Sequence, residues 1–334
     1  MDESEKELLG NLFELYQERG GNADRETLAS RLRRMEIGIP AEDEFAILLS
    51  WLGRCRFVHR LRPRHVPTKE YKVPDLLAIF ERDGQPLPVL IEVKDKQKKR
   101  LSWTPAYFGA LQRYGEEVGL PILLAWKDRL GDFWALCELR HFHVEGTNYK
   151  LTFLEAMERS LLSALAGDFS YRLQPGLGMH IHMKKLGPGK PHGPGEMRFP
   201  LQVERAYFAR PDGTEIRDQR GLVWLFTGLE QDEPHLEEDA THFRQSFTIP
   251  DVPVSQVAHR VLPVMLRMRR DHRDGIRWHK VRESGRLPMS GAALEEAARN
   301  AIAAGAVKYV FHLFPKGGSS LVNQPGETAA PETM

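Results

Sequence analysis

Apolar residues recur at helical spacing from the start of the chain. Leu8, Leu9, Leu12, Phe13 and Leu15 predict an amphipathic helix over 4–19, ended by Gly20-Gly21. Asp24 is placed to cap a second helix over 25–35, with Leu28, Leu32 and Met35 on one face. Gly38 and Pro40 interrupt the pattern, and a third helix is expected from about Ala41 to Leu52. The period then shortens. Arg56–Arg64 looks extended and basic, and 73–81 and 88–94 read as strands around an Asp83-Gly84 turn, with an irregular QPLP stretch between turn and second strand. A helix over 104–118, short β-like runs at 122–126 and 133–139, and a helix over 151–166 complete an α/β region. Residues 168–250 look mostly β, with a Gly- and Pro-rich loop at 187–195; helices over 257–270 and 292–304 and a strand over 307–313 follow. Four segments result: a helical segment 1–38, an α/β domain 39–167, a mixed α+β domain 168–315 and a disordered tail 316–334.

The 334 residues, 41% hydrophobic, suffice for more than one domain. With 47 basic and 46 acidic side chains, net charge says nothing about polyanions, so its distribution must decide. Cys55 and Cys137 stand apart in apolar contexts, which excludes a disulfide framework and a cysteine zinc site and predicts reduced thiols. No stretch is long and apolar enough to span a bilayer, and MDESEKELLG lacks the basic region of a signal peptide, so a soluble cytoplasmic protein without membrane contact is expected.

The candidate chemistry lies in Val73-Pro74-Asp75 and, sixteen residues after Asp75, Glu92-Val93-Lys94. Side chains alternate along a strand, so Glu92 and Lys94 share one face while Ile91 and Val93 face a core. In a hairpin turning near Gly84, Asp75 falls opposite a residue close to 93 or 94 and can share the face of Glu92 and Lys94. Two carboxylates and an ammonium at one end of a hairpin suit magnesium or manganese, a polarised phosphate and an activated water. Lys94 would orient or deprotonate that water and offset transition-state charge, and the Val93 carbonyl is a further metal-ligand candidate beside Asp75 and Glu92.

Pro74-Asp75 and Glu92-Val93-Lys94, with apolar Leu76–Phe80 after the first acid and Val89-Leu90-Ile91 before the second, resemble the PD-(D/E)xK nuclease superfamily. That superfamily includes restriction endonucleases and Holliday-junction resolvases. The resemblance implies a restriction-endonuclease-like αβββαβ core over roughly residues 40–140, and metal-dependent hydrolysis of nucleic acid with DNA favoured over RNA. A defence, repair or mobile-element setting fits such an enzyme. It also implies an acid on the helix before the first core strand. Glu44, at helical spacing from Leu48 and Trp51, is the candidate, against the alternative that Glu42, Asp43 and Glu44 only complement the helix N-terminus. Some branches carry a glutamine and a tyrosine on the helix after the catalytic strand. Gln112 is the candidate here and Tyr114 the weaker one, at a spacing that departs from the family's usual four.

Charge clusters beside these residues. Residues 54–72 hold seven Arg or Lys against Glu70, and 94–100 hold five against Asp95. Arg60, Arg62, Arg64, Lys96, Lys98, Lys99 and Arg100 are the candidate phosphate contacts, with solvated faces as the alternative. Trp103 and Tyr107 are stacking or packing residues. The basic run 260–286 and the acidic run 228–239 are either binding surfaces or mutual partners, and His180 with His182, like His141 with His143, shares a strand face without completing a metal set. No GxxxxGKS loop is present. A non-catalytic nucleic-acid-binding or assembly protein stays open beside the nuclease, as do a protein partner for the C-terminal domain and a homodimer.

Overall fold

The structure is a computed structural model that describes residues 41–61, 70–217, 220–251, 254–267, 287 and 289–322. The expected helices over 4–19 and 25–35, Arg62, Arg64, the basic run from 268 to 286 and the chain beyond 322 lie outside the described residues. The fold is mixed α/β with several sheets.

Helix α1 (Ala41–Leu52) leads into β1 (Cys55–Arg60), β2 (Leu76–Arg82) and β3 (Gln85–Lys96). A short β4 (Arg100–Trp103) precedes α2 (Pro105–Val118), β5 (Ile122–Asp128) and β6 (Phe133–Glu138). Five of these strands form one sheet in the order β1-β2-β3-β5-β6. The β2–β3 hairpin turns on Asp83 and Gly84, whose φ values of 50° and 76° are the left-handed pair that a two-residue hairpin turn needs. Its register keeps a constant sum, from Arg82 opposite Gln85 to Leu76 opposite Ile91. The QPLP stretch is strand and not irregular. β3 pairs with β5 only from Leu90 onward, so Pro86 and Pro88 stand where β3 has β2 alone for a neighbour and a missing N–H costs no ladder bond. Helix α2 is the crossover that makes β3 and β5 parallel. Thr104 caps its start, and Gly119 ends it in the left-handed conformation.

Alternation assigns the faces. Phe45, Leu49 and Leu52 of α1 pack with Ile91, Val93, Leu123 and Ala125 on one side. Phe108 and Leu111 of α2 pack with Leu90, Leu124 and Trp126 on the other, which is the side of Glu92 and Lys94.

Beyond the sheet, β7 (His143–Glu145) and β8 (Asn148–Thr152) join β4 in a three-stranded sheet, and α3 (Phe153–Glu158) follows. β9 (Ser170–Leu173), β10 (Gly178–Lys185), β11 (Lys190–Gly193), β12 (Glu196–Arg198), β13 (Leu201–Ala209) and β14 (Glu215–Ile216) come next. The chain continues through α4 (Leu222–Thr227), β15 (His235–Glu238), β16 (His242–Thr248), β17 (Ser255–Gln256), α5 (Val257–Arg267), α6 (Gly291–Ala303) and β18 (Val307–Phe311). An antiparallel sheet runs β14-β13-β10-β16-β15, and a smaller one runs β17-β9-β18. The segment expected to be one loop at 187–195 contains β11, which pairs with β12 just beyond it as a separate two-stranded ribbon.

The apolar core does not stop at residue 167. One cluster joins Phe45, Leu49 and Val93 to Leu225, Val261 and Leu294. Helices α1 and α6 meet so closely that a Cβ on Gly291 would lie 2.9 Å from the Leu52 Cα. Trp51 Nε1 also donates to the Met289 carbonyl at 2.7 Å. Within the expected tail, Leu321 and Val322 are buried and Arg82 donates to the Ser320 carbonyl at 2.6 Å.

Two buried ionisable groups stand at this junction. His259 Nε2 accepts from the Trp134 N–H at 3.0 Å, which satisfies a donor on edge strand β6. Asp168 Oδ1 accepts from the Ala258 N–H at 3.0 Å, while its Oδ2 is buried without a hydrogen-bond partner. Burial pushes the Asp168 carboxyl from 3.8 up to about 7 and the His259 imidazole from 6.5 down to about 4. Asp168 thus supports folding below pH 3.8, and that support is lost as pH rises to about 7. His259 does the reverse, with support complete above pH 6.5 and lost as pH falls to about 4. Asp168→Asn keeps the oxygen that accepts from Ala258, so thermal melts should show it stabilised by on the order of 1 kcal/mol or more at pH 8, and by much less at pH 4.

Candidate functional site

The β2–β3 pairing ends with Leu76 opposite Ile91, and Asp75 is the residue just before it. The Asp75 N–H donates to the Ile91 carbonyl at 3.0 Å, and the Val93 N–H donates to Asp75 Oδ2 at 2.7 Å. Asp75 Oδ1 makes no hydrogen bond among the described residues.

Glu92 is 0% exposed. Its Oε1 accepts from Lys94 Nζ and from the Tyr107 hydroxyl. Its Oε2 is buried without a hydrogen-bond partner, and the Lys72 ammonium stands 3.8 Å from it. Lys94 Nζ also donates to the Val93 carbonyl at 3.0 Å. Asp75, Glu92, Val93 and Lys94 therefore meet at one end of the hairpin. The Lys94 ammonium touches both Glu92 Oε1 and the Val93 carbonyl, two of the oxygens assigned to a cation from sequence. Burial, reinforced by the adjacent Glu92 charge, raises the Tyr107 phenol well above its usual range. It stays a neutral donor to Glu92 at any ordinary pH.

Lys72 and Tyr107 enter the site in roles the sequence did not assign. Tyr107 sits in the first turn of α2, three residues before Ala110 and four before Leu111, both buried, so helical spacing aims it at the sheet. Lys72 is tied in place by its own N–H, which donates to the Ala110 carbonyl at 3.1 Å. Trp103, 7% exposed, is a packing residue, stacked on Phe142 with ring centroids 4.5 Å apart.

Glu44 is not at this site. Both its oxygens accept from Lys127 Nζ, at 2.6 and 2.8 Å, and Oε1 also accepts from Trp134 Nε1 at 3.2 Å. Lys127 follows Trp126, the register partner of Lys94, so it projects from the opposite face of the sheet. The α1 acid that senses the site is Glu42. Burial raises its carboxyl, the Asp75 charge raises it further, and Arg60 and Lys94 oppose both effects. Helical spacing held this signal, because Glu42 leads the fully buried stripe of Phe45, Leu49 and Leu52. Gln112 is also elsewhere. It is exposed five residues past Tyr107, about 7.5 Å along the helix and roughly 140° around it. It lines a surface groove with Glu116, Glu138 and Arg140.

The basic residues divide. Arg60 pairs with Glu42, Lys99 with the buried Asp128, and Arg100 with Glu145. Among the described residues Lys96 and Lys98 are exposed and make no ion pair. The acidic run is met within its own sheet, where Glu237 pairs with Arg244 at 2.9 Å and Glu238 with Lys185 at 2.6 Å. His180 bonds Ser246 at 2.8 Å, and His182 accepts from Arg244 at 3.1 Å.

The donor set fits a hard divalent cation. Asp75 and Glu92 offer carboxylate oxygens, one of them buried and unpartnered, and Val93 offers a carbonyl. Among the described residues no three His, Cys, Asp or Glu side chains converge as a closed cage. Magnesium needs none, because it keeps several waters.

No protein-family model matches this chain, and no curated protein does either. Among solved structures the chain is similar to Hjc, a Holliday junction resolvase of Archaeoglobus fulgidus, at a TM-score of 0.29 and 19% identity. The match covers 34% of this chain and 88% of that one. A likeness of this size leaves function to the residues of the site.

Tyr107→Phe removes a neutral donor from a buried carboxylate and should cost about 1–3 kcal/mol in urea denaturation.

Proposed function

We propose that this chain is a metal-dependent phosphodiesterase acting on nucleic acid, with DNA the first substrate to test. The observation that supports this most is the buried Glu92 carboxylate, bonded to Lys94 and followed by the Val93 N–H that holds Asp75, with one oxygen left unpartnered. On this reading α1, β1–β3, α2 and β5 form an αβββαβ nuclease core within residues 39–167, with β4 inserted between β3 and α2. Residues 168–315 serve recognition of substrate or of a protein partner.

Asp75, Glu92 and the Val93 carbonyl would hold magnesium or manganese, which when bound polarises the scissile phosphate and acidifies a water. The chain's own groups do the rest. The Val93 N–H fixes Asp75 by Oδ2 and leaves Oδ1 free to ligate. Tyr107 stays protonated and holds Glu92 Oε1, so Oε2 keeps its orientation. Lys94, anchored by the Val93 carbonyl, places positive charge where phosphate oxygens gain negative charge. Lys72 is a second ammonium beside the same carboxylate.

One observation favours a non-catalytic reading: Lys94 already satisfies Glu92 Oε1 and the Val93 carbonyl, a closed arrangement that needs no cation. Cleavage decides between the two. Labelled single- and double-stranded DNA and RNA incubated with Mg²⁺ or Mn²⁺ should be cut, and EDTA should abolish cutting. Asp75→Asn and Lys94→Met should each lose about 100-fold or more in rate. Glu42→Gln should lose more activity than Glu44→Gln, which should stay within about threefold of the parent because its carboxylate faces Lys127. Equal cutting by the parent and the Asp75→Asn chain would refute the assignment.

A further inference from the structure

The ribbon of β11 and β12 is built unlike the rest of the molecule. Every residue from Lys190 to Arg198 is exposed. The two strands pair only with each other, and an isolated two-stranded hairpin in water is marginal. Its root is firm: Lys185 Nζ lies 4.7 Å from the Phe199 ring centroid and 4.6 Å from that of Phe243, and it bonds Glu238.

The ribbon's register sorts its side chains. Lys190 stands directly opposite Arg198, and Pro191 opposite Met197. One face thus carries Lys190 and Arg198, with Glu196 two residues before Arg198 on that same face, and the other carries Pro191 and Met197. Like charges directly across a strand pair destabilise it. Among the described residues neither Lys190 nor Arg198 has an acid partner, although arginines elsewhere in the same half pair with Glu215 and Glu237. Two exposed cations set directly opposite each other on a projecting two-stranded ribbon suit an external polyanion.

We propose that this ribbon is an arm that binds duplex nucleic acid, with Lys190 and Arg198 on backbone phosphates. A two-stranded ribbon fits a major groove, where cationic side chains reach the flanking phosphates. The choice of nucleic acid as the polyanion rests on the phosphodiesterase reading, but the arm's binding is measurable without cleavage.

The test is a titration of a labelled DNA duplex with the full chain in EDTA, across a series of salt concentrations. Lys190→Glu/Arg198→Glu should weaken binding by roughly ten- to a hundredfold and reduce the log–log salt slope by about two. The swap Lys190→Arg/Arg198→Lys should keep the parent's slope. Lys308→Glu/Lys316→Glu carries the same change of net charge outside the arm and should bind nearly as the parent does. Unchanged affinity and slope in the arm variant would overturn the proposal, as would an equal loss in the Lys308/Lys316 variant. Tighter binding to phosphatidylserine vesicles than to the duplex would also overturn it. Absence of cleavage in magnesium bears on the catalytic reading alone.

Discussion

A carboxylate withdrawn from water must be met by charge and hydrogen bonds or take up a proton. Glu92 imposes that condition on everything around it. It lies in the middle of the main sheet with no exposed surface, flanked along β3 by Leu90 and packed under α2. Two ammoniums, a phenol and an opposing strand end converge on it from Lys94, Lys72, Tyr107 and Asp75. These four come from three parts of the chain: β3, the segment before β2, and α2. The arrangement exists only if the hairpin register, the α2 crossover and the segment before β2 are all in place.

The rest of the fold serves that convergence by making its parts rigid. The Asp83-Gly84 turn sets the β2–β3 register, and the parallel pairing with β5 seats α2 over the face that carries Glu92 and Lys94. On the opposite face α1 packs against the same strands and brings Glu42 to the rim. The C-terminal half then closes around α1 and β6 through Gly291, Met289 and His259. The site is therefore supported by both halves of the chain, while the β11–β12 ribbon is left outside the core.

Local signals in the sequence carried the central hairpin well. An Asp-Gly turn, alternating apolar residues and Glu-Val-Lys on one face need no tertiary information to interpret. Choices between near-equivalent residues did not follow from local signals. Glu42 and Glu44 both border an apolar stripe, and only the position of Lys127 on the far side of the sheet removes Glu44 from the site. Tyr107 read as a packing or stacking ring, because its hydroxyl finds Glu92 only once the crossover helix is laid on the sheet. The Arg60, Lys99 and Arg100 charges looked free in sequence, yet their acids come from residues 42, 128 and 145. The acidic run of the second half raised the same difficulty, since Glu238 meets Lys185 and Glu237 meets Arg244.

The central claim is that the unpartnered oxygen of Glu92 is kept for a divalent cation, and it is tested most directly by Mn²⁺ binding in solution. Electron paramagnetic resonance titration should show an Mn²⁺ ion bound by the parent chain and lost in Glu92→Gln, with Glu44→Gln binding as the parent does. Equal Mn²⁺ affinity in the parent and Glu92→Gln chains would contradict the account.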